Sequence, residues 1–308
     1  MARTIQSLLL IFCLILVSGC IGQQTSSGDG LVIENFVSNP SEIYSGESFQ
    51  LQLMVRNTGI SDAKNVRFEL SNIGTTYGSR GLEISCEPEC LDVIQSLLAP
   101  DPQAGTTGES RTCIWNCFAP QDVPRNAKLT FNPNLRIYYD YENTIVKSVT
   151  IVSEDELRSI QSQGIPLPSE VVSPSGGPVT LSIQMRSPVK YIENSNTVTF
   201  PIAITIENVG GGVACHPSCS DPKNWNKVFL GLGPESGMNL KDCEIVMYNE
   251  IDLWEGRSRT IVCDGELSLF SEMSGRRTGI NLLQKTLEIK ASYEYFVDTS
   301  TSITVTGF

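Results

Sequence analysis

Two stretches of this chain alternate apolar and polar side chains with a period of two, the mark of a strand buried on one face. Phe49, Leu51, Leu53 and Val55 alternate with Gln50, Gln52 and Arg56, and the run stops at Asn57-Thr58-Gly59. Val198, Phe200, Ile202, Ile204 and Ile206 alternate with Thr199, Pro201, Ala203, Thr205 and Glu207, and that run stops at Asn208-Val209-Gly210. Asn and Gly at such a place are strong turn chemistry. Further alternating runs cover Val66, Phe68 and Leu70, then Leu135 to Tyr141, then Ile289 to Tyr295. Long amphipathic helical periodicity is missing, which argues against a Rossmann-like or two-lobed solute-binding fold. One short helix is predicted: Ser153 and Glu156 have capping-box spacing, Leu157 and Ile160 share a face, and Gly164 ends the run.

The two halves repeat one another. Phe49 and Ala63 answer Phe200 and Ala214 at an offset of 151. Leu135, Ile137, Tyr139 and Tyr141 answer Ile289, Ala291, Tyr293 and Tyr295 at an offset of 154, as Val149 and Ile151 answer Ile303 and Val305. Several short strands with turn residues between them predict an all-β chain of two tandem immunoglobulin-like β-sandwich domains. The expected division is a sandwich over 31–153, a linker with the short helix over 154–177, and a second sandwich over 178–308. Pro166, Pro168, Pro174, Gly176, Gly177 and Pro178 suggest an extended spacer reaching ~40 Å. The two domains are then expected to move relative to each other.

The amino end changes the picture. A head carrying Arg3, an apolar run from Leu8 to Val17 and small residues before Cys20 make a secretory signal over 1–19. Val17-Ser18-Gly19-Cys20 resembles a lipobox, so Cys20 is the expected lipidation site, followed by a polar tether over 20–30. The apolar run is about half the ~20 residues a spanning helix needs. The expected location is the extracytoplasmic face of the membrane, with membrane lipid bound through Cys20. Formal charge is −12 for the whole chain. An acidic surface repels phosphate backbones, which excludes nucleic acid as a partner.

Eight cysteines remain beyond Cys13 and Cys20, and an even number in an exported chain reads as disulfides. Ser110-Arg111-Thr112 matches Ser258-Arg259-Thr260, which sets Cys263 beside Cys113 and Cys117, and Cys243 beside Cys86 and Cys90. The expected pairs are Cys243–Cys263, Cys215–Cys219, and Cys86 and Cys90 bonded across to Cys113 and Cys117 with the partners undetermined. A four-thiolate zinc site at Cys86, Cys90, Cys113 and Cys117 is the alternative, and an oxidising compartment disfavours it. The chain's single histidine, His216, lies between Cys215 and Cys219. It would have to serve any Ser-His-Asp or Cys-His arrangement, and no nucleophile elbow accompanies it. Asp140 and Glu142 alternate with Tyr139 and Tyr141 and read as the solvated face of a strand. Trp115, Trp225 and Trp254 fall in or near the cysteine-bearing loops, where they read as satellite core beneath those loops or, alternatively, as the candidate partner-binding residues.

Asn39-Pro40, Ser45-Gly46-Glu47, the alternating strand, Asn57-x-Gly59 and Ala63-Lys64-Asn65-Val66 resemble the immunoglobulin-like repeats of archaeal surface-layer-related proteins and CARDB (cell-adhesion-related) domains. The resemblance covers about residues 31 to 70, and more loosely the second half. It implies an extracellular, non-catalytic sandwich of the kind found in adhesins and envelope proteins. No metal, cofactor or catalytic residue is expected. The function expected is a lipid-anchored adhesion or envelope-structural module that meets a cell-envelope or extracellular protein. An accessory subunit of a transporter or filament is the second reading, and a metal-dependent enzyme using His216 the third.

Overall fold

The computed structural model describes residues 30–90, 92–192, 195–234, 236–269 and 282–308. The signal, Cys20 and most of the polar tether lie outside the described residues. The first half supplies β1 (Leu31–Asn39), β2 (Glu42–Tyr44), β3 (Ser48–Asn57), β4 (Ala63–Ser71), β5 (Gly74–Tyr77), β6 (Arg80–Glu83), β7 (Ser85–Pro88), β8 (Val93–Leu97), β9 (Ser110–Phe118), β10 (Lys128–Phe131) and β11 (Asn134–Ser153). Helix α1 (Glu154–Gln163) follows. The second half supplies β12 (Val179–Met185), β13 (Val189–Tyr191), β14 (Thr197–Asn208), β15 (Val213–Cys215), β16 (Lys227–Leu232) and β17 (Asn239–Lys241). Then come α2 (Glu244–Met247), β18 (Glu250–Asp252), β19 (Ser258–Ser268), β20 (Leu282–Ser300) and β21 (Ile303–Thr306).

The fold is all-β, and it follows the period-two pattern. Along β3 the apolar positions Phe49 to Val55 are buried while Gln50 and Gln52 face solvent, and β14 repeats this. The short helix is α1: Ser153 Oγ accepts the Glu156 amide at its start, and Gly164 closes it in the left-handed conformation. Each half builds one four-stranded sheet, β1-β3-β9-β7 and β12-β14-β19-β17. That is the order of the first sheet in an immunoglobulin-type sandwich. The opposing sheets are not separate. They form one eight-stranded sheet, β18-β16-β20-β11-β4-β8, with β13 beside β11 and β15 beside β20.

The long strands make that fusion. β11 pairs antiparallel with β20 without a slip from Asn134↔Ser300 to Val152↔Leu282. The amino-terminal part of β11 lies against β4 of its own half, and its carboxyl end, Ile151 to Ser153, pairs in parallel with β13 of the other half. The mirror event occurs at the chain's end. β20 lies against β15 and β16 of its own half, and β21 then inserts between β2 and β10 of the first half. Each sandwich therefore completes its second sheet with a strand that runs on from the other, a reciprocal exchange within one chain.

This corrects the expectation of two modules free to move. A 20-residue strand shared by both sandwiches leaves no hinge between them. The Pro- and Gly-rich stretch is also docked rather than extended through solvent. The Ser148 amide donates to Val171 O at 2.9 Å and the Ser173 amide to Val146 O at 2.8 Å, so the stretch runs along β11. Among the described residues no helix is long and apolar enough to cross a membrane.

Four tyrosines occupy the centre of the shared ladder, where Tyr139 faces Tyr295 and Tyr141 faces Tyr293. All four rings are buried, and each hydroxyl accepts a backbone amide at the edge of a sandwich. Tyr139 takes Leu31 N at 3.4 Å, Tyr141 Ser61 N at 3.1 Å, Tyr293 Val179 N at 3.1 Å and Tyr295 Gly212 N at 2.9 Å. The two Asn-x-Gly turns belong to this arrangement. Asn57 Nδ2 reaches Ser61 O and Leu97 O, and Asn208 Nδ2 reaches Gly212 O and Gly256 O, so each side-chain amide, buried at Asn57 and half-buried at Asn208, pins its turn. A Cβ on Gly59 or Gly210 would meet the hydroxyl of Tyr141 or Tyr295, which requires glycine at both places.

Burial pushes the Tyr293 phenol well above its ordinary value of 10.0, and its tyrosine neighbours add to the effect. Burial raises Tyr141 too, against the opposing hydrogen bond from Ser61. A raised phenol keeps its proton in the fold where the unfolded chain gives it up. The contribution is whole below about pH 10 and fades as pH climbs past it. Urea melts from about pH 8 to about pH 11 should show stability falling at the alkaline end, with a shallower fall in Tyr293→Phe. Equal slopes in the two proteins would refute this assignment.

Candidate functional site

The outer face of the shared ladder carries a cleft of about 650 Å³. Its floor is Asp140 and Glu142 from β11 with Ser292 and Glu294 from β20. Alternation dictates this placement: tyrosines 139, 141, 293 and 295 take the core face, so the residues between them point outward. One wall is the β3–β4 turn, with Ser61 and Asp62, and the start of β4, with Lys64; the other is His216 and Pro217. The pair Asp140↔Glu294 is its own counterpart under the 154-residue offset, so the cleft lies on the pseudo-twofold axis of the duplication.

The second half breaks that symmetry with an insertion, residues 215–226, that lies over the outer face. Cys215–Cys219 closes its first turn, and Trp225 packs on Phe296 with ring centroids 5.3 Å apart. Trp225 Nε1 also donates to Cys219 O at 2.9 Å. The insertion covers Glu294, which accepts from Arg67, from the Cys219 amide and from Ser218 Oγ at 3.0 Å. Three donors thus satisfy the buried carboxylate, as burial of a polar group requires. Asp140 accepts from Asn65 Nδ2 at 2.7 Å and Glu142 from Ser292 Oγ at 3.3 Å, both at exposed positions. Asp62 caps the Ala99 amide at 2.8 Å.

His216 points its Nδ1 at Glu250 Oε2, 3.3 Å away, and its ring lies 5.2 Å from that of Phe229. Glu250 also binds Lys227 Nζ at 2.8 Å. Its carboxyl is held below the usual range, first by Lys227 and then by His216. Ser218 and Ser220 in the same insertion engage each other, and Ser218 engages Glu294. The histidine thus helps to seat the insertion against β18.

The cysteines fall partly as expected. Cys215–Cys219 and Cys243–Cys263 are bonded, and Cys86 bonds to Cys117. Cys90 and Cys113 depart from the expectation and stand as thiols. With Cys86 and Cys117 joined, two of the four sulfurs a zinc site would need are already committed. Among the described residues no group of three or more His, Cys, Asp or Glu side chains is arranged to hold a metal. The tryptophans divide three ways. Trp115 is core, edge-on to Phe36 and Phe68, which takes the core side of its two readings and removes it as a partner anchor. Trp225 is half-buried in the insertion, and Trp254 is 70% exposed on the β18–β19 turn.

Alternation alone does not single out Glu294, and it marks Asp140 and Glu142 only as a solvated strand face. The offset that relates the tyrosines also relates Asp140 to Glu294, so the signal was present in the duplication itself.

No family model matches the chain, and no characterised relative matches it. Among solved structures it is similar to the secreted serine protease VesC from Vibrio cholerae at 8% identity and a TM-score of 0.23. That match covers 88% of this chain and 50% of the protease, so the chain spans half the protease's length. It is also similar to the CupB6 tip adhesin from Pseudomonas aeruginosa, at 10% identity, 91% and 95% coverage and a TM-score of 0.19. The collagen adhesin CNA from S. aureus gives 8% identity, 91% and 93% coverage and a TM-score of 0.12. At these scores none of the three lends this chain an activity or a ligand.

Proposed function

We propose that this chain is a non-catalytic binding module, exported and tethered to the membrane through a lipid on Cys20, and that it meets its ligand in the cleft over the shared ladder. One observation supports this above the rest: the exchange of strands makes the two sandwiches one rigid body and leaves an open polar cleft at their axis. Preorganised sites on rigid sheets lose little entropy on binding. The floor is rich in carboxylates, which accept hydrogen bonds and donate none. The ligand that fits is therefore hydrophilic and presents donors, such as the ammonium, guanidinium or hydroxyl groups of an envelope or extracellular partner. The resemblance to CARDB-like repeats agrees with this reading and forms part of the proposal.

The test is a photo-crosslinking side chain at Lys64, on the cleft wall, against one at Ser302, on an exposed turn away from it. On intact cells the adduct should form at position 64. It should weaken about tenfold or more when Asp140→Asn and Glu142→Gln remove two charged acceptors, each worth about 1.5–3 kcal/mol. Equal yields at both positions, or indifference to the double substitution, would end the cleft assignment. Cys20→Ala should shift the protein from the membrane fraction to the medium, and retention would end the tether.

A further inference from the structure

The structure assigns a fourth disulfide, Cys90–Cys113, formed after Cys86–Cys117 and in tandem with it. The inference is independent of the cleft and of the ligand proposed for it. It rests on register. β7 pairs antiparallel with β9 so that Cys86 faces Cys117 and Pro88 faces Trp115. The ladder continues past the end of β7, because the Glu89 amide donates to Ile114 O at 2.8 Å. Cys90 is then the next residue on the core face, and the residue facing it is Cys113.

The hydrogen-bond pattern supplies the second argument. In an antiparallel ladder, hydrogen-bonded and non-hydrogen-bonded pairs alternate, and side chains approach more closely at the latter. Glu89 and Ile114 are joined by a backbone hydrogen bond, so the flanking pair Cys90 and Cys113 is of the non-bonded kind. Counting back by four residues gives the same kind for Cys86 and Cys117, which are bridged. The unbridged pair thus repeats the setting of the bridged one. Cys113 is buried in the core, and Cys90, half-buried, packs against the same core.

The two thiols are unequal, which orders the reaction. Cys90 is half-exposed, whereas burial foremost, and then Cys90 itself, drives the Cys113 thiol above its usual range. With a disulfide oxidant such as oxidised glutathione, the Cys90 thiolate attacks one sulfur, and the S–S bond of the oxidant breaks to release one glutathione thiolate. The Cys113 sulfur then loses its proton and attacks the Cys90 sulfur of the mixed disulfide, which releases the second glutathione. Two thiols are oxidised, one oxidant disulfide is reduced to two thiols, and both protons leave with them.

The full-length chain is incubated with oxidised glutathione, alkylated and digested without reduction. Proteases that cut after Glu89 and after Trp115 separate the four sulfurs into distinct peptides. The expected product joins the Cys90 peptide to the Cys113 peptide, with alkylatable thiols in this region falling from two to none and Cys86–Cys117 intact. Quantitative alkylation of both thiols after oxidation, or a bond from Cys90 to any other sulfur, overturns the assignment. In a second arm, Cys113→Ala should trap Cys90 as its glutathione adduct, and Cys90→Ala should leave Cys113 unmodified. The reverse labelling overturns the order of attack.

Discussion

Expressed as two separate polypeptides, residues 30–163 and 164–308 should each fail to give a folded monomer, and when mixed they should assemble one to one. The reason lies in what the missing half removes. The first half alone loses the whole of β20 from the edge of β11, and it loses β21 from between β2 and β10. Ile145, Val149, Ile151 and Val152 on the far part of β11 are buried, on a segment that lies beside β13 and β20 of the second half. Exposing four such side chains costs about 1.5–3 kcal/mol each, or about 6–12 kcal/mol together. That is comparable to the about 5–15 kcal/mol that holds a typical domain folded. The stranded edge would also offer a long row of unpaired backbone groups, a template for aggregation. Circular dichroism and size exclusion on each half and on the mixture measure this. A half that melts cooperatively as a monomer would show that the exchanged strands are dispensable.

Much of the fold could be read from the chain because burial follows local pattern. The alternation in β3 and β14, the capped helix at Ser153, and the bridges Cys215–Cys219 and Cys243–Cys263 are each fixed by residues near one another in sequence or matched by the repeat. The exchange was not read, and the cause is degeneracy. In a duplicated chain the two halves present near-identical alternating strands, so a pattern cannot say whether Tyr139 pairs within its own half or with Tyr295. One signal did exist. Neither 134–153 nor 282–300 contains a Gly or a Pro, so neither stretch has the residues that a tight reversal of direction most often uses. A strand of that length without a turn must leave its own sandwich. The cleft was hidden for the same reason, since it exists where the two halves are joined.

The tyrosine quartet turns that join into a thermodynamic coupling, and Tyr295→Ala is its sharpest test. Tyr295 is fully buried, its ring is 5.7 Å from Tyr139 across the ladder, and its hydroxyl donates to Asn208 Oδ1 at 2.8 Å while accepting Gly212 N at 2.9 Å. Removing a buried aromatic ring costs about 3–5 kcal/mol. Tyr295→Phe keeps the ring but leaves the Asn208 carbonyl and the Gly212 amide without this partner, for a loss of about 1–3 kcal/mol. The order Ala worse than Phe follows from packing outweighing the hydrogen bonds. The location of the loss carries more information than its size. Tyr295 belongs by sequence to the second half and packs against the first, so its loss should lower both halves together in a single transition. Denaturation followed at Trp115 in one half and Trp254 in the other, each in a background with the remaining tryptophans replaced by Phe, reads this directly. Coincident midpoints that shift together are expected. A Trp254 signal that moves while Trp115 stays in place would mean the halves are joined without being coupled.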